Sequence, residues 1–347
     1  METRACVLHA QEDVRIENHP VREIGPQDVL VRVGAGGLCG SDIHYYWDGG
    51  IGSIRVNQPI ILGHEFAGTV EAVGEQVSKL RPGERVAVNP SHPCGQCKFC
   101  LAGEQQHCLE MQFLGSAMRN PHTHGGFRDF IVVNQTQCEP VGDAVSLGEA
   151  ACTEPLAVGV HAVVRAGSLV GKRVLVTGAG PIGALLIGAA RHAGAREIVA
   201  TDLSAAPLAA ALAMGASSVI NAAQEPEKLQ RDYSADKGYF DVAFECTGVG
   251  AVLKSVFPVV RPRGSIVQVG VSGAADIPVN ALVGKEIALI GAHRFHQEYA
   301  VAAQLIRERK IDVRPVISTT LPMERIAEAL VLAKDRSTQM KVQLSFA

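Results

Sequence analysis

Four of the nine cysteines in this 347-residue chain fall within 15 residues, in the run Pro93-Cys94-Gly95-Gln96-Cys97-Lys98-Phe99-Cys100 closed by Cys108. The C-x2-C-x2-C-x7-C spacing suits a tetrahedral zinc site, because a tight turn presents neighbouring thiolates to one ion. Gly95 permits the positive φ that such a knuckle needs. An iron–sulfur cluster is the competing metal, but the run lacks the C-x2-C-x2-C-x3-C-P pattern of ferredoxins. Disulfides are a poor alternative, since the N-terminal stretch carries Glu2, Arg4, Glu12, Asp13, Arg15 and Glu17 where a secreted chain would have an apolar core. Four protein ligands leave no open position. Cys94, Cys97, Cys100 and Cys108 therefore predict a structural zinc, which by itself does not say what the protein does.

A second chemical signal is Gly178-Ala179-Gly180-Pro181-Ile182-Gly183. This G-x-G-x-x-G run sits between a Val/Leu strand and an Ala/Leu-rich helix reaching His192, and Asp202 lies 19 positions beyond the third glycine. Gly178 makes the turn, Gly180 lets the backbone approach a pyrophosphate, and Gly183 lets helix and strand pack closely. Pro181 and Ile182 open the helix, whose free N–H groups and positive dipole end meet the phosphates. Val269, at the end of a later strand of the same sheet, is placed with them. Asp202 can accept hydrogen bonds from a ribose diol and would repel a 2′-phosphate, and no arginine follows it directly (Leu203, Ser204). NAD is favoured over NADP.

Cys39, His64, Glu65 and Glu154 remain, each at the end of a predicted strand or in a turn. Singly they say little: a lone buried cysteine is usually a small hydrophobe, a reading that suits Cys6, Cys138, Cys152 and Cys246. Their local wording raises the set. Cys39-Gly40-Ser41-Asp42-Ile43-His44 and Gly63-His64-Glu65-Phe66-Ala67-Gly68, followed by the cysteine knuckle and the glycine turn, resemble the zinc-dependent medium-chain dehydrogenase/reductase family along the whole chain. Thr153-Glu154-Pro155-Leu156-Ala157-Val158 is similar to its polyol dehydrogenase branch, where alcohol dehydrogenases place a cysteine ligand.

The resemblance implies roles. Cys39 and His64 would hold a catalytic zinc, with Glu65 or Glu154 as third ligand, directly or through water, and a fourth position open to a substrate hydroxyl. Ser41 would receive the hydroxyl proton, His44 would pass it towards solvent, and Asp42 would orient the His64 imidazole. Helix capping is the plain alternative for Ser41 and Asp42. Tyr45, Glu154 and Arg294 would face the substrate; Tyr46 could join them, though a tyrosine pair is as often packing. An anionic substrate would call for a further cation, and Arg119, His122 and His124 are candidates in what otherwise reads as a solvated loop. The implied activity is NAD-dependent oxidation of a secondary hydroxyl of a polyol or sugar acid, with one catalytic and one structural zinc per chain. Sorbitol- or xylitol-type polyols are the alternative, then L-threonine. A non-catalytic binding or structural relative is the reading from another class, against which Cys39 and His64 stand. Such families are dimeric or tetrameric, often pairing edge strands, and Glu286–Ile290 is the edge expected here.

The elements that position these groups divide in two. Short strands at Cys6–Leu8, Val14–Glu17, Asp28–Val33, Thr69–Val73 and Arg85–Val88, with Gly/Pro turns between, predict a mainly β, partly open barrel. From about residue 155, strands alternate with helices, which predicts βαβ units and a doubly wound parallel sheet. Helices at Glu298–Arg309 and Pro322–Ala333 precede Lys341-Val342-Gln343-Leu344, a strand that could return to the first domain. The α/β fold expected is thus a Rossmann coenzyme domain at 154–292, with 1–153 and 293–347 forming a domain that the resemblance makes GroES-like. Composition agrees: 47% hydrophobic, 19% charged and a net charge of -3 describe a soluble chain with no electrostatic case for nucleic acid or membrane. The longest apolar window, around Ala184–Ala190, is too short to span a bilayer, and a cytoplasmic enzyme with a small-molecule substrate is expected.

Overall fold

The β-branched run at residues 28–33 belongs to a longer strand, Asp28–Gly37, that is the spine of a branched, mixed sheet. In the computed structural model, which describes residues 1–271 and 273–346, this sheet runs in the order Cys138–Pro140, Arg85–Val88, Glu65–Val73, Asp28–Gly37, Lys341–Ser345, Ile317–Pro322. Phe130–Asn134 is its seventh strand. It pairs with residues 28–32 of the spine while Lys341–Ser345 pairs with residues 35–37, so two strands share one edge. A three-stranded sheet of Glu2–Ala10, Asp13–Pro20 and Ile60–Ile61 packs on it. Leu8, Val31, Phe66, Val86 and Leu344 from the two sheets meet Phe127 of a connecting loop in one apolar core, which gives the curled, partly open barrel.

The second sheet is wholly parallel, in the order Ser218–Asn221, Glu197–Asp202, Arg173–Thr177, Phe240–Glu245, Val260–Gln268, Ala288–Gly291. Val174, Leu175 and Val176 are fully buried in succession, as in a strand covered on both faces rather than one. Chain order reverses direction between Arg173–Thr177 and Phe240–Glu245, so a crevice opens at the carboxyl ends of these two strands. Ala288–Gly291 is at one edge, where the sequence places it. The helix Pro181–His192 begins directly on the glycine turn, with Gly180 as its cap. Among the described residues, no helix is long and apolar enough to cross a membrane.

The helix Thr153–Ala166 carries Glu154 in its first turn and joins the two sheets' layers. It packs on Pro181–His192 and on Glu298–Arg307. Gly159 makes the first contact possible, because a Cβ there would stand 3.0 Å from Leu186 Cα. The second contact contains a buried ion pair, His161 Nδ1 to Glu298 Oε1 at 3.0 Å. Burial alone would raise the Glu298 carboxyl, but hydrogen bonds from His161 and from the His296 N–H hold it down to about 2.

A carboxyl depressed in the folded state stabilises the protein above its unfolded pKa and loses that contribution as pH falls through the folded value. Glu298→Gln should therefore cost on the order of 1–2 kcal/mol at neutral pH, with the deficit closing between about pH 4.5 and about pH 2. Urea unfolding of both proteins across that range checks it; a deficit that persists unchanged to pH 2 would contradict the pair's role.

Candidate metal and coenzyme site

The four-cysteine run folds into a small lobe with its own core of Cys100, Cys108, Met111 and Phe113. Gly95 has the positive φ of the knuckle, 73°. Cys97 Sγ and Cys94 Sγ lie 3.6 and 3.9 Å from Cys100 Sγ. Sulfurs at zinc's usual bond length around a tetrahedral centre stand about 3.8 Å apart. The N–H groups of Cys94 and Glu110 point at Cys108 Sγ (3.2 and 3.3 Å) and that of Cys97 at Cys94 Sγ (3.4 Å). Backbone N–H groups of Cys100 and Leu109 pull the Cys97 thiol down to about 6, whereas burial pushes Cys100 up to about 12. Spacing and donor type fit a zinc ion, whose charge would let all four ionise.

The second donor set is built by one buried carboxylate. Cys39 caps the helix Gly40–Asp48, and its N–H donates to Asp42 Oδ2 at 2.9 Å. Asp42 Oδ1 accepts from the Gly63 N–H at 3.3 Å. Gly63 has a φ of 93°, and Phe127 fills the space where its Cβ would be. Asp42 thereby fixes the backbone beside both Cys39 and His64. The expected hydrogen bond from the His64 ring N–H to Asp42 is not formed among the described residues; the donors that Asp42 accepts from are the main-chain N–H groups of Cys39 and Gly63. The capping reading is thus the one Asp42 fulfils; Ser41, the preceding residue of the same helix turn, makes no side-chain hydrogen bond among the described residues.

Ligand atoms of Cys39, His64 and Glu65 lie within 4.8 Å of one another. Glu154 stands outside that set yet near enough to feel it: burial pushes its carboxyl up to about 8, Glu65 and Cys39 adding to the rise and His64 opposing it. Burial likewise pushes the Cys39 thiol up to about 11. The cation against this cluster is Lys341, 3% exposed, a residue whose place in the site the sequence reading missed. Its Nζ donates to Leu38 O at 3.1 Å and Glu65 Oε1 at 2.8 Å. It also lies 2.7 Å from Glu65 Oε2, but off the line a hydrogen bond needs, so that oxygen is buried without a donor. Gly37 makes room for the pair, since a Cβ there would stand 2.4 Å from Glu65 Oε2 and 3.1 Å from Lys341 Cδ. An orphaned carboxylate oxygen, a thiol and an imidazole in one buried group fit a divalent cation.

A cavity of about 430 Å³ runs from Cys39, Gly40 and Glu65 to Gly178, Gly180 and Asp202. Gly178 has a φ of 82°. Nothing stands within 4 Å of a Cβ built on Gly180, whereas one on Gly183 would meet Gly178 O at 1.9 Å. Asp202 is held at the strand tip: Oδ2 accepts from Ala179 N at 2.8 Å, and Oδ1 from Leu203 N and Ser204 N at 2.7 and 3.2 Å. Pro181 and Ile182 line the cavity. Val269 is not among its lining; its N–H donates to Glu245 O and its side chain packs on the core.

On the substrate side, His44 is exposed one turn beyond Ser41, its Nδ1 2.7 Å from Asp48 Oδ2. Tyr45 is buried, and its hydroxyl accepts from Ala117 N at 3.2 Å. Tyr46 packs edge-on against Trp47 instead, at 5.0 Å. Arg294, at a φ of 51°, lies 4.0 Å over the Phe113 ring and donates to Met118 Sδ at 3.0 Å. The His64 ring also neighbours Phe113, 5.6 Å away. No carboxylate among the described residues forms an ion pair with Arg294. The loop after Met118 is pinned rather than solvated. Arg119 clamps Met111 O, Leu109 O and Glu110; His122 bridges Asn57 N and Arg119 O; His124 accepts from Ile61 N.

Residues 25–143 match the family model of the alcohol dehydrogenase GroES-like domain, and residues 181–308 that of zinc-binding dehydrogenase. The chain is 39% identical over 348 residues to L-idonate 5-dehydrogenase (NAD(P)(+)) of Escherichia coli (strain K12), covering 100% of this chain and 99% of the relative. The crystal structure of L-idonate 5-dehydrogenase from Escherichia coli str. K-12 substr. MG1655 superimposes with a TM-score of 0.95, covering 100% of this chain and 99% of that one. Sorbitol dehydrogenase of Pongo abelii is 36% identical over 343 residues, 98% of this chain and 95% of the relative. 

Replacing one lobe thiol tests the lobe's metal. Cys97→Ser should lose about one zinc per chain and melt several degrees lower. Metal analysis and thermal denaturation check this, and a variant with normal zinc and melting point would contradict it.

Proposed function

The chain belongs to the zinc-dependent medium-chain dehydrogenase/reductase family, the zinc-binding alcohol dehydrogenases, and within it we propose that it oxidises L-idonate at C5 to 5-keto-D-gluconate with NAD. The observation that carries this reading is the placement of Cys39 and Glu65, with a ligand atom of His64 within 4.8 Å of theirs, at one end of the cavity whose other end holds the glycine turn and Asp202. Residues 154–292 are taken as the coenzyme domain, with 1–153 and 293–347 as the catalytic one. A cytoplasmic homodimer or homotetramer, joined through the exposed edge strand Ala288–Gly291, completes the proposal.

Cys39 and His64 would hold the catalytic zinc. Glu65, with its donor-less Oε2, and Glu154, buried beside it, are the two carboxylates available as third ligand. Bound there, zinc supplies a Lewis acid that acidifies a hydroxyl, and NAD supplies a hydride acceptor. Ser41, with its hydroxyl uncommitted, takes the substrate's proton, and exposed His44 passes it on to solvent. Asp42 and Lys341 do not react. They keep the Cys39 and His64 backbones and the Glu65 carboxylate where the donors converge.

The choice of a sugar acid over a neutral polyol rests on the 39% identity to L-idonate 5-dehydrogenase across the whole chain. Arg294 is compatible with it: the half-buried guanidinium meets an aromatic face and a thioether and, among the described residues, pairs with no carboxylate, which leaves its fork free for one. Tyr45, tied through its hydroxyl to Ala117, holds the adjoining segment Gly115–Met118, which carries that thioether.

Comparing kcat/KM for L-idonate, D-sorbitol, xylitol and L-threonine, each with NAD and NADP, tests the substrate; a preference for sorbitol would overturn idonate. Asp202→Ala should erode NAD preference about tenfold or more, because a buried-edge carboxylate facing a diol is lost. An unchanged ratio of NAD to NADP efficiencies would count against its ribose role.

A further inference from the structure

Away from the metal and coenzyme sites, one half-buried arginine stands without an anion. Arg128 follows Phe127 and forms an isolated bridge with Ala5 beside the three-stranded sheet. Its guanidinium makes no hydrogen bond or ion pair among the described residues, and its Nε is buried without an acceptor. Burial pushes the group down to about 10, and Arg22 adds to the fall. The neighbouring carboxylates are committed elsewhere. Both oxygens of Asp129 accept from Arg4, at 2.8 and 3.0 Å. Asp28 takes Arg22 and the Gly25 N–H. Glu17, opposite Ala5 in the strand pairing, faces His9 Nε2 at 2.9 Å.

The groups beside Arg128 are donors or cations. His124 Nδ1 accepts from the Ile61 N–H at 3.1 Å, so the proton of its neutral ring sits on Nε2. Burial, with the charges of His19, Arg128 and His122, pushes that ring down to about 4. The His19 ring packs edge-on against it at 4.9 Å. Main-chain bonds fix the setting. The N–H groups of Gly125, Gly126 and Phe127 donate to Ile61 O, Gly63 O and Leu62 O at 2.7, 2.8 and 2.9 Å, and that of Cys6 to Phe127 O at 2.9 Å. The ordinary use of such an arginine is a stem that covers apolar residues, here the buried Ala5, Val7 and Ile61, with its head in water. That use leaves the buried Nε unexplained. An uncompensated charge out of water is costly, and an absent ion is one physical reason for an orphaned polar atom.

We propose that Arg128 and His124 form a binding site for a tetrahedral oxyanion of the phosphate class, on the outer face of the three-stranded sheet. Cys6 and Leu8 of that sheet enter the barrel core, whereas Ala5 and Val7 lie on the other side with Ile61. A guanidinium offers paired N–H donors to two oxygens, and the His124 Nε2–H is a further donor whose ring the Ile61 main chain holds. Arg22, paired with Asp28, adds positive potential without filling the site. Free phosphate and the phosphate monoester of a metabolite share this chemistry. The site is separate from the catalytic metal and the coenzyme cleft, and it stands whichever substrate the enzyme takes. It is tied to them only through the chain, since the bonds from residues 125–127 end on Ile61, Leu62 and Gly63, directly before His64.

Calorimetric titration of the wild-type protein with inorganic phosphate and with glycerol phosphate, in chloride buffer of matched ionic strength, reads the site. A dissociation constant of about 1 mM or tighter is expected for at least one of them, and Arg128→Met should weaken it about tenfold or more. Tighter binding of glycerol phosphate would mark a metabolite's phosphate, and tighter binding of inorganic phosphate the free ion. In about 5 mM of the tighter ligand the melting point of wild type should rise by a few degrees and that of Arg128→Met should not. An equal rise in both proteins is the general effect of an excluded anion and overturns the proposal. The absence of saturable heat from either ligand up to about 20 mM overturns it too. So does an oligomer that dissociates in Arg128→Met while phosphate has no effect, which would put a carboxylate of a second copy against the guanidinium. The wild-type titration needs no variant, and Arg128→Lys keeps the comparison open if Arg128→Met does not fold.

Discussion

A half-buried thiol, a buried imidazole and two buried carboxylates gather in one part of this fold, with Lys341 set against them. Taking charges out of water is costly, and an unpaired one would shift its pKa and neutralise instead. Cys39 and Glu154 show that pressure, both pushed towards their protonated forms by burial. A divalent cation relieves it. Much of the surrounding structure makes sense as the frame for that cluster: Asp42 pins two backbones, Gly37 and Gly63 clear space, and Lys341 closes a strand from the far end of the chain against Glu65.

The frame is shared between two architectures that supply different things. The curled β half gives the donors precise positions, because Cys39 follows the spine strand and His64 and Glu65 begin its neighbour. The parallel sheet gives a crevice at its switch point and a helix start for phosphate. The helix Thr153–Ala166 belongs to the contact between them and brings Glu154 to the donors. Chemistry that needs a hydroxyl activated beside a hydride acceptor is met at such a junction, where each half contributes one component.

Local signals were the legible ones. The cysteine spacing, the glycine turn with Asp202, and the wording around Cys39 and His64 all lie within short windows, and the parallel order follows from strand–helix alternation. What the sequence hid depends on long-range pairing. Glu65 and Lys341 are 276 positions apart, and only the fold brings them together. The signal was a lysine opening a terminal strand that otherwise reads as buried, Lys341-Val342-Gln343-Leu344. Asp42 serves the helix start, as its capping reading allows, and its partners are main-chain N–H groups that no motif displays. His122 and His124 read as loop residues because their acceptor roles, to Asn57 and Ile61, lie across the barrel. Strand ends also differ: the strand expected at Asp28–Val33 runs on to Gly37, because Lys341–Ser345 pairs with its residues 35–37.

The most direct measurement is anomalous diffraction at the zinc absorption edge from crystals of the purified protein. Two peaks per chain are predicted, one centred among Cys94, Cys97, Cys100 and Cys108 and one against Cys39 and His64 facing the coenzyme crevice. A single peak in the cysteine lobe, with the Cys39–His64 position still empty after soaking in zinc, would contradict the reading of this chain as a zinc-activated dehydrogenase.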